Sequence, residues 1–219
     1  MPTSGCLGGR FFLDMIVYKY KSLGDSKCTL EQEKQIGFLK DIYENNRLYA
    51  SDFNILDDPM EGIFKSYSGE ESEIVQKIKD GKSSIYICSL SPTYRCMLMW
   101  SFYANCHKGC CVEVEISDDL IQNVIYDNNP IRIDSPNISE EEKVKQILSR
   151  KYKEWDFEKE LRVLYKERYV PVSVRKIYFG MRVSNDLFKK MKDEIHTQNK
   201  NIKVLKMRVN MFKHKDTKN

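Results

Sequence analysis

No stretch of this 219-residue chain approaches the run of about 20 apolar residues that a membrane helix requires. The start, MPTSGCLGGRFFLDMIVYKYKSL, lacks the basic flank and long apolar stretch of a secretory signal. Together these absences predict a cytosolic protein with no membrane partner. Proline and glycine are sparse, at 6 and 10 residues, and there is no proline-rich linker, repeat or low-complexity segment. A glycine-rich phosphate loop and a G-x-S-x-G elbow are both missing, so two common nucleotide and acyl-transfer signatures are excluded. The excess of positive charge is small, +4. Cysteine is not scarce, but seven is an odd number in a chain without a secretion signal, which predicts free thiols.

What remains is the composition of a folded chain: 41% hydrophobic and 31% charged residues, far from the balance of a disordered protein. The length suits one domain with a substantial core. Residues 1–14 are small and glycine-rich beside the strand-like MIVYKY, and are expected to be a disordered extension, with Met15 a candidate start. The domain is expected over 15–210, followed by a basic tail at 211–219. From Lys189 onward ten Lys or Arg face three acids, a balance that fits a solvated basic helix and tail or a contact with nucleic acid phosphates.

Periodicity places the elements. MIVYKY predicts a strand, and Ile36, Leu39, Ile42 and Tyr43 recur at helical spacing after the N-cap candidate Thr29. A second strand in NRLYASD is followed by the loop DFNILDDPMEG, and then by a short helix closed at Gly81. SSIYICSLS reads as a strand. CMLMWSFYANCHKG reads as a helix with Met97, Trp100, Tyr103 and Ala104 on one face, stopped by Gly109. CCVEVEI alternates as a half-buried strand. Ser139 and Glu142 form a capping box ahead of a helix that buries Val144, Ile147 and Leu148 and runs to about Trp155. NVIYDN, LRVLYKERYV, VRKIYFG and IKVLKMRV read as strands, and SNDLFKKMKDEIHTQ as a helix. The expected fold is a single α+β domain with a mixed or mainly antiparallel sheet.

Three clusters invite chemistry. Cys106, His107, Cys110 and Cys111 have zinc-ligand side chains, but four ligands within six residues cannot converge as two separated knuckles do, so buried structural thiols are expected and no metal. Asp57, Asp58 and Glu61 in DDPMEG could hold a divalent cation in a nuclease or phosphodiesterase; the plainer reading is an Asp-initiated turn with Pro59 setting φ. In KYKEWDFEKELRVLY, acids stand at every second position: Glu154, Asp156, Glu158 and Glu160. The first two suit a solvated helix end. Glu158 and Glu160 would project from a strand mouth, where two carboxylates can divide hydrogen-bonding and proton-transfer roles, with Arg162 as the ionic partner that keeps Glu160 charged.

Taken in order, YKYKSL (18–23), FNILDDPME (53–61), ICSLS (87–91), LMWSFYANCHKGCCVEVE (98–115), KEWDFEKELR (153–162) and IYFG (177–180) resemble a bacterial family designated only as a domain of unknown function, numbered twenty-nine seventy-one. The most specific segments are Met99 to Ala104 with His107 to Cys111, and the run Trp155, Glu158, Glu160 and Arg162. The chain departs from that pattern at Phe102, where members often carry His, and at Lys21, where they carry Arg. A more distant resemblance is to the ADP-ribosyltransferase plan of a first-strand arginine, a Ser-x-Ser strand and a later Glu-x-Glu. It implies NAD as co-substrate, Glu160 on the nicotinamide ribose, Glu158 orienting the acceptor, and Ser89 and Ser91 bracing the site. Tyr18, Lys19, Tyr20 and Lys21 would then stand on the first strand, with Trp100, Tyr103, His107 and Arg162 around the nucleotide. Lysine in place of arginine would hold phosphate as a point charge, without the bidentate fork. The readings carried forward are an NAD-consuming transferase or glycohydrolase in a toxin or phage-defence setting, a metal-dependent nuclease, and a non-catalytic binding module presenting Trp100, Tyr103 and Trp155.

Overall fold

A computed structural model describes residues 13–24, 28–58, 60–67, 69 and 72–212. Residues 1–12 of the expected extension, Pro59 and residues 213–219 of the tail lie outside the described residues.

In chain order the elements are β1 (Asp14–Lys21), α1 (Thr29–Asn45), β2 (Arg47–Tyr49), β3 (Phe64–Lys65), α2 (Glu73–Ser83), β4 (Tyr86–Leu90), α3 (Met97–Phe102), β5 (Cys110–Ser117), β6 (Ile121–Asn123), β7 (Ile125–Tyr126), β8 (Ile131–Arg132), α4 (Glu140–Leu148), β9 (Arg150–Lys151), β10 (Leu161–Tyr165), β11 (Tyr169–Pro171), β12 (Ser173–Phe179), α5 (Asn185–Gln198) and β13 (Lys203–Lys206). The main sheet has the order β1-β5-β12-β13, antiparallel except for its last pair. A second, antiparallel sheet has the order β4-β10-β6. Two backbone hydrogen bonds join them: Tyr18 N–H to the Ser91 carbonyl at 2.9 Å, and Ser91 N–H to the Tyr18 carbonyl at 2.8 Å. Shorter pairs, β2 with β11, β3 with β8 and β7 with β9, close the margins. The fold is a single α+β domain with mainly antiparallel sheets, as the periodicity predicts. No helix among the described residues is long and apolar enough to cross a membrane.

Local signals explain most elements. Leu39, Ile42 and Tyr43 are the buried stripe of α1, although Thr29 is its first helical residue and Cys28 holds the cap position. Ser139 caps α4 by accepting from Glu142 N–H, and Val144, Ile147 and Leu148 are buried as expected.

Five expectations need correction. Strand β1 begins at Asp14, paired with Ser117, one residue before the expected domain edge. Helix α2 does not close at Gly81 but continues to Ser83. Gly81 serves a close helix contact instead, for a Cβ there would lie 2.8 Å from Val144 Cγ2 on α4. Strand β5 is buried on both faces: Cys110, Val112 and Val114 enter the main core, while Cys111 packs in a second cluster with Tyr20, Trp100 and Tyr178. Glu113 on that second face is buried because Lys176 and Tyr178 donate to it. Helix α4 stops at Leu148, and the chain then forms β9 and a 3-10 turn over Lys153–Glu158, so Trp155 stands in that turn. The segment from Met97 is likewise short. Only six residues are helical, Met97 is exposed, and Asn105, Cys106 and His107 all take left-handed backbone conformations.

Candidate functional site

Strand alternation divides β1. Tyr18 and Tyr20 face the second cluster, whereas Lys19 and Lys21 share the other face with the core residue Val17. The ladder then brings β4 beside β10, with Ser89 opposite Arg162 and Leu90 opposite Leu161. Where β1, β4 and the head of β10 meet, a pocket of about 240 Å³ opens. Its lining includes Tyr18, Lys19, Tyr20, Ser89, Ser91, Tyr103, Glu158, Glu160 and Arg162 from the sequence-predicted set. Ser51, Asp57, Glu61, Met99 and Lys151 are among its other polar and apolar walls.

The charge in this pocket is organised by two cations. Arg162 is fully buried, and its guanidinium donates to Glu160 Oε1 at 2.8 Å, to Glu61 Oε2 at 2.9 Å and to the Leu148 carbonyl at 2.6 Å. Lys151 Nζ donates to Glu158 Oε2 at 2.6 Å and to Glu160 Oε2 at 3.3 Å. Tyr103 hydroxyl donates to the other Glu158 oxygen, and Glu160 N–H donates to the Tyr126 hydroxyl at 2.7 Å. Lys19 Nζ is pinned to the Ser89 carbonyl at 2.8 Å.

These partners drive the two glutamates apart. Burial would raise the Glu160 carboxyl, but the Arg162 charge and hydrogen bonds, with Lys151 and the Ser89 hydroxyl, outweigh it and bring Glu160 down to about 2. For Glu158 burial wins over Lys151 and Tyr103, and the carboxyl is pushed above its ordinary value. Glu61 is also raised, by burial first, against the pull of Arg162. One carboxylate is thus held ionised while its neighbour is tuned toward accepting a proton, a division used in acid–base sites.

Lys21, Trp100 and His107 are not brought into this pocket. Lys21 points to an adjoining groove, where burial lowers its ammonium. Trp100 is fully buried, donates from its indole N–H to the Tyr94 carbonyl at 2.7 Å, and stacks on His107 with ring centroids 5.8 Å apart. Trp100 meets Tyr20 edge-on at 5.4 Å, and His107 packs on Trp100. Gly180 admits this loop, since a Cβ there would lie 2.1 Å from the His107 carbonyl oxygen.

The remaining clusters stay apart. Cys110 and Cys111 point to opposite faces of β5, and Cys106 is exposed. Asp58 Oδ1 accepts from Met60 N–H at 2.9 Å, the turn geometry expected of DDPMEG, and Glu61 is engaged by Arg162. Among the described residues no group of three or more His, Cys, Asp or Glu is placed to hold a metal ion. Glu154 and Asp156 are exposed, as a solvated turn requires, alternating with the half-buried Trp155 and Phe157. Lys151 was not legible as a site residue, because local spacing does not set the 3-10 turn that brings it back to Glu158, and Glu61, expected only as a cation ligand of the acidic loop, is instead a partner of Arg162 from 101 residues away.

No family model, no curated protein and no solved structure matches this chain.

Proposed function

We propose that this protein is an NAD-consuming enzyme of the ADP-ribosyltransferase type, a transferase or glycohydrolase of a toxin or defence system. The observation that carries this reading is the meeting of Lys19, Ser89, Ser91 and Glu160 around one pocket, from three segments distant in sequence. The resemblance of the chain to that plan, and to the family of unknown function, agrees in the order of these segments.

The chemistry follows from the two glutamates. Breaking the bond between ribose C1′ and the nicotinamide nitrogen sends the electron pair to nicotinamide, which leaves neutral, and gives C1′ oxocarbenium character. A carboxylate already ionised and fixed beside that carbon stabilises the transition state more than the ground state. Glu160, held down to about 2 by Arg162 and Lys151 despite burial, meets that need. Glu158, raised by burial, would take the proton of water or an acceptor hydroxyl as its oxygen bonds to C1′. Lys19 supplies a point charge for phosphate.

The test is nicotinamide release from NAD by the full chain, alone and with candidate acceptor proteins. The expected result is release that falls by roughly 10²-fold or more in Glu160→Gln, the scale of losing a preorganised electrostatic group. No release under any of these conditions overturns the reading. A chelator arm separates the metal-dependent nuclease built on Asp57, Asp58 and Glu61, whose activity on nucleic acid it would abolish.

A further inference from the structure

The pocket at Glu160 is about 240 Å³, below the roughly 300–1,000 Å³ of ordinary ligand sites, and too small for a whole dinucleotide. It does not end there. Lys19 and Ser51 also line a second concavity of about 500 Å³, so the two spaces share a wall. This groove is floored by Ile42 and Leu48 and edged by Phe38 of α1, Tyr49 of β2 and Tyr169 of β11. The three aromatic side chains are 46%, 47% and 39% exposed, although they surround a recess rather than a convex surface. Aromatic area left in water around a concavity marks a binding surface more often than a packing accident.

The rings are held in place. Arg168 donates to the Tyr49 hydroxyl at 2.9 Å, and the Arg47 guanidinium lies 3.8 Å from the centroid of Tyr169. Arg47 in turn neutralises Asp41, the carboxylate of the groove, at 2.6 Å. What remains uncompensated is positive. Lys21 Nζ stands 4.8 Å from the Phe38 centroid, and no carboxylate of the described residues pairs with it. Two residues away on the same face of β1, Lys19 is the lysine that both spaces share. A flat uncharged ring with an anionic link directed toward the Glu160 pocket complements this surface.

We propose that the groove binds a nucleoside 5′-phosphate, its base against Phe38, Tyr49 and Tyr169 and its phosphates between Lys19 and Lys21. The proposal rests on the reading above in one respect: the ligand is then the nucleoside-diphosphate half of the same dinucleotide whose ribose reaches Glu160.

The probe is ADP, titrated calorimetrically into the full chain. Tyr49→Ala is expected to weaken binding about tenfold or more, the scale of losing one base-stacking ring. Lys21→Ala is expected to weaken it most at low salt, with partial recovery in Lys21→Arg. Tyr49 and Lys21 stand at the groove surface, and unchanged melting temperatures show that the variants fold. ADP that does not bind at millimolar concentration overturns the proposal, as does ADP that binds both alanine variants as tightly as the parent. Nicotinamide release without ADP binding in the groove removes this proposal and leaves the enzymatic reading standing; ADP binding in the groove without release does the reverse.

Discussion

The Arg162 guanidinium donates to Glu160 Oε1 at 2.8 Å from two residues along the chain, and the same group reaches Glu61 across 101 residues of sequence. Around it, two cations, Arg162 and Lys151, are buried among three carboxylates, Glu61, Glu158 and Glu160. Such a cluster is stable only when every member is satisfied, because each ion forfeits its hydration.

Removing the hub should therefore be severe. Arg162→Leu strands Glu61 and Glu160 in the interior, and a loss of roughly 3–5 kcal/mol is expected from urea unfolding midpoints. Arg162→Lys should recover only part, since an ammonium cannot reproduce a planar fork shared among two carboxylates and a carbonyl. A loss under about 1 kcal/mol for Arg162→Leu would show that the cluster is not what holds β10 in place.

Glu160 also predicts a pH dependence of stability. Its folded carboxyl lies at about 2 against an ordinary 4.5, so the stabilisation is full above the unfolded value and is lost as pH falls toward the folded one. Glu61 and Glu158 shift the other way, and their contributions oppose it over the acid range. The clean measurement is the difference between the parent and Glu160→Gln: the stability advantage of the parent should shrink as pH drops from 4.5 toward 2. A difference that is flat with pH would contradict the assigned ionisation.

The raised Glu158 carboxyl sets an acid limb in the rate. If nicotinamide release is observed, kcat should fall as pH decreases through the Glu158 value, because only the ionised form accepts a proton. The Tyr103 hydrogen bond holds that value down, so Tyr103→Phe should move the limb to higher pH. A merely structural role for Tyr103 would lower the rate without moving the limb.

Helix α2 offers a test of packing away from the site. Alanine at an interior helix position usually gains about 1 kcal/mol over glycine. At Gly81 the new methyl would meet the stiff Val144 side chain at 2.8 Å, and overpacking of this kind costs about 1–3 kcal/mol. Gly81→Ala should thus fail to stabilise the parent, yet should stabilise a Val144→Ala background. Equal effects in both backgrounds, measured by thermal unfolding, would mean that the two helices do not touch there.

Local order was legible where a single element supplies its own signal. The stripe of Leu39, Ile42 and Tyr43, the Ser139 cap and the alternation of β1 are set by neighbours within a few residues. The second buried face of β5 was hidden because alternation cannot say whether its polar side meets water; Glu113 reads as exposed until Lys176 and Tyr178 come across to it. The end of α4 was misread for a related reason. The charged, aromatic run after Leu148 is compatible with a helix, but the backbone of Arg150 and Lys151 pairs with β7 instead.

For the candidate site, the alternating acids of KYKEWDFEKELRVLY and the resemblance they carry drew attention to Glu158, Glu160 and Arg162, although Glu158 stands in a 3-10 turn rather than on the strand. Tertiary structure decided their condition. It folded Lys151 of β9 back onto Glu158 and Glu160, delivered Glu61 from a loop 101 residues away, placed Ser89 opposite Arg162, and turned Trp100 and His107 inward. Ionisation depends on burial and on which charges lie within a few ångströms, and neither is a property of sequence neighbours. Periodicity could name the side chains on a face; only the packing of that face against another could hold one glutamate as a fixed anion and raise the carboxyl of its neighbour.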